Sequence, residues 1–323
     1  MNHRKILAVV TASLLCLSTV LSGCTHSDER RAQLQAQQES VRTEAQQYDQ
    51  QVNEDGIAVD LSENPYFMTK QPGFEYNEPE TITYPSEVTG TDRHANILLP
   101  VDYDEEKEYP VLYLLHGLDG SHRTWKNKDG HIIIQNLHYL YDVPEMIVVF
   151  PNSAVNEEED TDDLGIYDKV AAYDLTEQDI VTSLMPYINS HYSVKQGREN
   201  TAIAGNSMGG RNSLITAFRH QELFGYVGAF SSAHVLKDGT EGVIRSNLID
   251  DFVIDPDQGD FELLMICVGR QDNVCGGETY RIKNNMDKNN VNYVFYDMEG
   301  GHENSVWQNA LYNFGMRLFQ SEG

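Results

Sequence analysis

The chain predicts an α/β fold with a mostly parallel sheet covered by helices. Short apolar runs recur along its length, continuous rather than alternating, as strands buried on both faces require. Stretches with apolar residues at helical spacing lie between them. One run, Thr201 to Ala204, passes through Gly205-Asn206-Ser207-Met208-Gly209 into a helical stretch, a strand, turn and helix in direct succession.

In chain order, the first element is a leader. Arg4 and Lys5 precede an apolar run from Ile6 to Val20, which closes on Leu21-Ser22-Gly23-Cys24. This pattern predicts a lipoprotein signal peptide over 1–23, with Cys24 becoming the lipidated N-terminus that holds the protein outside the cytoplasm on a bacterial membrane. An ordinary cleaved signal or an uncleaved anchor are the alternatives, although the run is short against the roughly 20 apolar residues that span a bilayer. Residues 24–78 are polar and rich in Gln, and are expected to be a tether in which part could be a solvated helix. The remaining 79–323 are expected to form one α/β domain without internal repeats.

Within that domain the expected strands are Thr81 to Val88, Asn96 to Leu99, Val111 to Leu115, Met146 to Phe150, Thr201 to Ala204, Tyr226 to Phe230, Leu263 to Val268 and Tyr293 to Met298. Asp174 and Glu177 resemble a capping box opening a helix on which Ile180, Leu184 and Ile188 recur. Val306, Ala310, Phe314 and Leu318 do the same in the last helix. In such sheets ligands bind at the carboxyl ends of the strands, where Ser207 falls.

The formal net charge is −27, and loss of residues 1–23 removes only Arg4 and Lys5 from the count. Nucleic acid is excluded as a partner on this ground, and strongly anionic polymers are disfavoured as substrates, whereas neutral polysaccharides are compatible. Beyond Cys16 and Cys24 only Cys267 and Cys275 remain. They could pair in an oxidising compartment, or Cys267 could be a small buried hydrophobe. The acidic stretch Asn156 to Asp163 reads as a solvated loop, with calcium as the lesser alternative, and no metal or organic cofactor is expected.

The tight turn around Ser207 needs flanking glycines and raises the serine as a nucleophile. Three histidines follow it: His220, about 20 Å away at the end of its own helix; His234, past a strand end; and His302, after Gly300-Gly301 at the end of the last strand. His302 is placed to serve as the general base. Asp272, after the strand Leu263 to Val268, is the carboxylate expected to orient it; Asp297 and Glu299 would have to double back. Oxyanion donors are expected at the amides of Met208, at a helix N-terminus, and of Leu118, in the loop after Tyr113-Leu114-Leu115-His116-Gly117. His116 is expected to brace that loop. Tyr167, Tyr173, His234 and Trp307 are candidate substrate-lining residues.

The combination YLLHGLDG, AIAGNSMGG, VGRQD and GGHENSVW resembles the feruloyl and acetylxylan esterases of the esterase D-like α/β-hydrolases, across most of residues 80–320. The resemblance implies an α/β-hydrolase fold with an eight-stranded sheet and helices on both faces, a Ser207–His302–Asp272 triad with Leu118 and Met208 as oxyanion donors, and esters on plant cell-wall polysaccharide as substrates. Asn206 stands where leucine is common at this elbow. An acyltransferase, a siderophore or peptide esterase, or a surface binding protein that keeps the fold without chemistry are the competing expectations.

Overall fold

The computed structural model describes residues 27–48, 50–237 and 248–320. The leader and Cys24 lie outside them. Helix α1 covers 27–46. The rest runs β1 (Glu80–Pro85), β2 (Asp92–Leu98), β3 (Val111–Leu115), α2 (Thr124–Asn127), α3 (Gly130–Tyr141), β4 (Ile147–Pro151), α4 (Ile166–Asp174) and α5 (Thr176–Asp179). After one π turn at Ile180–Leu184 come α6 (Met185–His191), β5 (Thr201–Asn206), α7 (Met208–Arg219), β6 (Tyr226–Phe230), β7 (Leu263–Gly269), α8 (Gly276–Lys288), β8 (Val294–Met298) and α9 (Asn304–Gly315).

The eight strands form one sheet in the order β1-β2-β4-β3-β5-β6-β7-β8. From β4 to β8 all neighbours are parallel, and only β2 pairs antiparallel, with β1 and with β4. Strands β3, β4, β5, β6 and β7 are buried along their whole length, which explains their unbroken apolar sequences. Two cores result. Leu112, Leu114, Val148, Ala202, Ala204, Met265 and Cys267 point to the face covered by α3 and α9; Tyr113, Val149, Ile203, Val227 and Ile266 point to the other, with Ile180, Leu184, Leu214 and Ile282.

Three differences from the sequence reading have physical causes. The hairpin β1–β2 turns at 86–91, with Gly90 at φ +71°, so β1 ends sooner and β2 begins earlier than the apolar pattern indicates. Asp92-Arg93-His94 belongs to β2 because Arg93 is fully buried: its Nε donates to Asp179 Oδ2 at 3.2 Å and its Nη2 to the Asn152 carbonyl at 2.6 Å. Asp174 caps no helix. It ends α4 and pairs with Arg211 of α7 at 2.5 Å.

The third difference is the stretch read as a tether. Val41 and Ala45 of α1 pack on Leu140 of α3. Ile57, Ala58, Leu61 and Phe67 then enter the core beside Trp307, Ala310 and Phe314 of α9. The Ala58 amide donates to Asn313 Oδ1 at 2.9 Å, and its carbonyl accepts from Asn309 and Asn313. Residues 57–77 are a strap belonging to the domain. They lack a helical or strand period because they dock as irregular chain.

Candidate active site

Ser207 sits between β5 and α7 with φ +55° and ψ −117°, a strained conformation for a residue with a side chain. The turn holds it there: the Ser207 amide donates to the Phe230 carbonyl at 2.9 Å, and the Ser207 carbonyl accepts from Ala233 at 3.1 Å. A Cβ at Gly205 would lie 2.6 Å from the backbone of Gly209, and one at Gly209 2.5 Å from the Leu115 carbonyl oxygen. The elbow therefore closes only with glycine at both positions.

Three strand ends deliver the partners. His302, between β8 and α9, sets Nε2 3.0 Å from Ser207 Oγ and Nδ1 2.8 Å from Asp272 Oδ2. Asp272, just past β7, accepts at Oδ1 from the amides of Val274 (2.9 Å) and Cys275 (2.7 Å). Burial alone would raise the Asp272 pKa, but the Cys275 amide and His302 outweigh it and hold the carboxyl below its ordinary value. The carboxylate thus stays ionised beside the imidazole. The two loops are laced together, since the Gln271 amide donates to the Gly300 carbonyl at 2.9 Å and Gln271 Oε1 accepts from the Gly300 amide at 2.7 Å.

The remaining polar machinery surrounds one peptide bond. The Gly117 carbonyl accepts from Tyr173 Oη at 2.7 Å and from His116 Nδ1 at 2.8 Å. His116 Nε2 in turn accepts from the Ser153 amide at 2.8 Å, so the imidazole is neutral with its proton on Nδ1; burial lowers its pKa to about 4. A trans peptide points its C=O and N–H in opposite directions. Holding the Gly117 oxygen inward therefore turns the Leu118 N–H outward, over a loop whose Gly117 lies against Ser207. Met208, first residue of α7, has an amide with no partner inside the helix. Both amides have the character an oxyanion site needs.

Of the four lining candidates, the structure treats each differently. Trp307 packs edge-on against His302, ring centroids 5.0 Å apart. His234 lies just beyond Ala233 and is tied through Nδ1 to the buried Glu278 at 3.0 Å. Tyr167 is 66% exposed on α4. Tyr173 is 1% exposed and braces the loop from beneath instead of lining a pocket. Six residues apart on one helix, the two tyrosines point roughly 120° from each other, so they cannot both face a ligand. His220 pairs with Glu177 at 2.9 Å, away from the site. Cys267 and Cys275 are free thiols, the first in the core and the second at the start of α8. In the acidic loop, Glu159 is engaged by the His94 amide (2.7 Å) and Nδ1 (2.6 Å).

Sequence reasoning missed the supports. Ser153, which fixes the His116 tautomer, and Arg211, whose Nε donates to the His234 carbonyl at 3.0 Å, carry no motif. Lys128 was also missed; its ammonium lies 4.2 Å from the centre of the Trp307 ring. The signal for Lys128 was only its place in the chain, shortly after the Leu118 loop.

Comparison with known proteins fits this arrangement. The Esterase family model matches residues 86–317. An endo-1,4-beta-xylanase/feruloyl esterase of Xylanibacter ruminicola is 29% identical over 185 residues, 55% of this chain but 24% of that relative, so the chain spans only about a quarter of its length. An acetyl esterase of Caldicellulosiruptor saccharolyticus is 24% identical over 251 residues, 67% of this chain and 88% of that one. Among solved structures, the CE1 ferulic acid esterase AmCE1/Fae1A of Anaeromyces mucronatus superposes with a TM-score of 0.70 and 33% identity, over 79% of this chain and 95% of that one. The elbow, the sheet order and these matches lead to one assignment: the chain belongs to the Esterase family and has the α/β-hydrolase fold.

Proposed function

We propose that this protein is a serine carboxylesterase that removes feruloyl or acetyl substituents from plant cell-wall polysaccharide, exported and held on the outer face of a bacterial cell membrane through Cys24. The observation that carries the chemistry is the unbroken line Ser207 Oγ, His302 Nε2, His302 Nδ1 and Asp272 Oδ2, with contacts of 3.0 and 2.8 Å. Support for the substrate class comes from the similarity to proteins named feruloyl esterase and acetyl esterase. A solved structure at 32% identity, the Anaeromyces enzyme, holds ferulic acid.

In this reading His302 takes the Ser207 proton as Oγ attacks the ester carbonyl, and ionised Asp272 stabilises the imidazolium. The amides of Leu118 and Met208 receive the oxyanion, each worth about 3 to 4 kcal/mol of barrier. His302 returns the proton to the departing sugar oxygen, leaving an acyl-Ser207. Water, deprotonated by His302, then releases the acid and restores the serine. No cofactor enters these steps. Ser207→Ala is expected to keep the melting temperature and lose more than about 10⁴-fold in hydrolysis of methyl ferulate and short aryl esters; retention of parental rates would overturn the assignment.

The lipid anchor rests on the Leu21-Ser22-Gly23-Cys24 pattern. Among the described residues no helix is long and apolar enough to cross a membrane. Blocking lipoprotein signal peptidase with globomycin is expected to leave the leader attached; normal maturation under that block would remove the anchor from the proposal.

A further inference from the structure

Lys128 caps α2, directly after the loop that carries Leu118, and its ammonium lies over two indoles, 4.2 Å from the ring centre of Trp307 and 5.4 Å from that of Trp125. Trp307 in turn packs edge-on against His302, so one indole separates the ammonium from the general base. The backbone here is fixed: the Lys128 carbonyl accepts from Gln308 of α9 at 2.8 Å, and Trp125 Nε1 donates to the Leu115 carbonyl at 2.9 Å.

This lysine is unusual for its chain. The sequence holds 50 acidic residues against 23 Lys and Arg, and the neighbouring Lys126 is matched to Glu78 at 3.0 Å. Among the described residues no carboxylate lies within 4.0 Å of the Lys128 ammonium, and it makes no hydrogen bond. Burial is the sole cause lowering its pKa, to about 8. Trp307 Nε1 is likewise without an acceptor among the described residues. A desolvated cation that has ring faces but no anion is a site prepared for one, because contact with an indole replaces only part of the lost hydration.

On the reading that the substrate is an ester-decorated polysaccharide, we propose that Lys128, seated on Trp307, forms a subsite for the carboxylate of a uronic acid of the same glycan, beside the sugar that bears the ester. The negative charge of the whole protein does not oppose this at contact range. Exposed charges are screened beyond about 10 Å at 0.1 M salt, whereas a pair at hydrogen-bond distance on a half-buried ammonium is screened far less. The field disfavours a polymer of dense charge, and the subsite selects one with isolated carboxylates on an otherwise neutral chain.

The test compares acetylated or feruloylated oligosaccharides that carry a uronic acid with the same oligosaccharides after reduction of the carboxyl to a hydroxyl, with methyl ferulate as a third substrate. At pH 6.5 and low salt the native protein is expected to favour the acidic member by roughly five- to tenfold in kcat/KM, mainly through KM. Lys128→Met, which keeps the stem on the indoles, is expected to bring the ratio of acidic to neutral near one, and Lys128→Arg to preserve it. Titratable groups on the surrounding elements are the imidazoles of His302 and His116, Glu303, which accepts from the Gly301 amide, and Lys126 and Asp129 on the same turn. The acid preference is expected to fade as pH rises through about 8 and Lys128 loses its proton. Equal rates on the acidic and reduced members, or an equal fall on both in Lys128→Met, would assign Lys128 to packing and overturn the subsite. Hydrolysis of methyl ferulate with neither oligosaccharide cleaved would overturn the polysaccharide reading and the subsite with it.

Discussion

Tyr173 Oη donates to the carbonyl of Gly117 at 2.7 Å, and through that one peptide bond a buried residue of α4 sets the direction of the Leu118 amide. Tyr173 is itself held by α7, since Asn212 donates to its carbonyl at 3.0 Å. The elbow and the Leu118 loop are thus braced against the same helix pair. Tyr173→Phe removes one donor and leaves His116 Nδ1, at 2.8 Å, and the Gly120 amide, at 3.2 Å, as the remaining holds. Steady-state kinetics on a small aryl ester are expected to show kcat lower by about 3- to 10-fold and KM changed less than about twofold. A change confined to KM would show that Tyr173 lines the substrate pocket after all.

His116 makes stability depend on pH in a defined direction. Its pKa is about 4 in the folded protein against 6.5 for the free side chain, so between those values the unfolded chain holds the extra proton. Stability from this group is complete above pH 6.5 and is lost as pH falls toward 4, by at most about 3 kcal/mol. The depressed pKa of Asp272 acts in the same direction at lower pH. Melting temperatures across pH 4 to 7 are expected to fall more steeply in the native protein than in His116→Gln. Parallel curves would sink this account.

Asn206 lies beneath the loop, its amide against Gly117, and its Oδ1 is buried with no hydrogen-bond partner among the described residues. An unpaired buried carbonyl costs about 1 to 3 kcal/mol. Asn206→Leu, close in volume, is expected to stabilise the protein by about 1 kcal/mol, a rise of roughly 2 to 4 °C in melting temperature for a domain of this size. A lower melting temperature would mean that the amide holds the loop in place.

The strap 57–77 is part of the core, and its removal is expected to be costly. Phe67 is buried in an edge-to-face contact with Tyr312, ring centroids 5.6 Å apart. Phe67→Ala is expected to destabilise the protein by about 3 to 5 kcal/mol in denaturant titrations. A chain starting at residue 79 is expected to aggregate on size exclusion, because it bares the faces of Ala310 and Phe314; a monomeric, fully active fragment would show the strap to be dispensable.

Legibility in the sequence followed the range of the interactions. The elbow could be read because its glycines, its strand and its helix are adjacent along the chain. His302 and Asp272 could be read because the ends of parallel strands share one edge of the sheet. The start of β2 could not, since Arg93 looks solvated until Asp179, 86 positions away, is seen beside it. Ile57, Leu61 and Phe67 were invisible for a related reason: spaced without a period, they become core only when α9 is present to receive them. The role of Tyr173 needed the direction of a carbonyl, which no side-chain pattern records.

That pairing of strap and α9 also orders events in time. The contacts of Ala58 with Asn309 and Asn313 close loops of 251 and 255 residues, so the first part of the domain to be synthesised is among the last to dock. Such long-range closure is slow relative to local helix and hairpin formation. A chain still emerging, with α9 not yet made, lacks the surface that completes its core. Until then the molecule stays open and extensible, and the finished fold is reached only when both ends have arrived together.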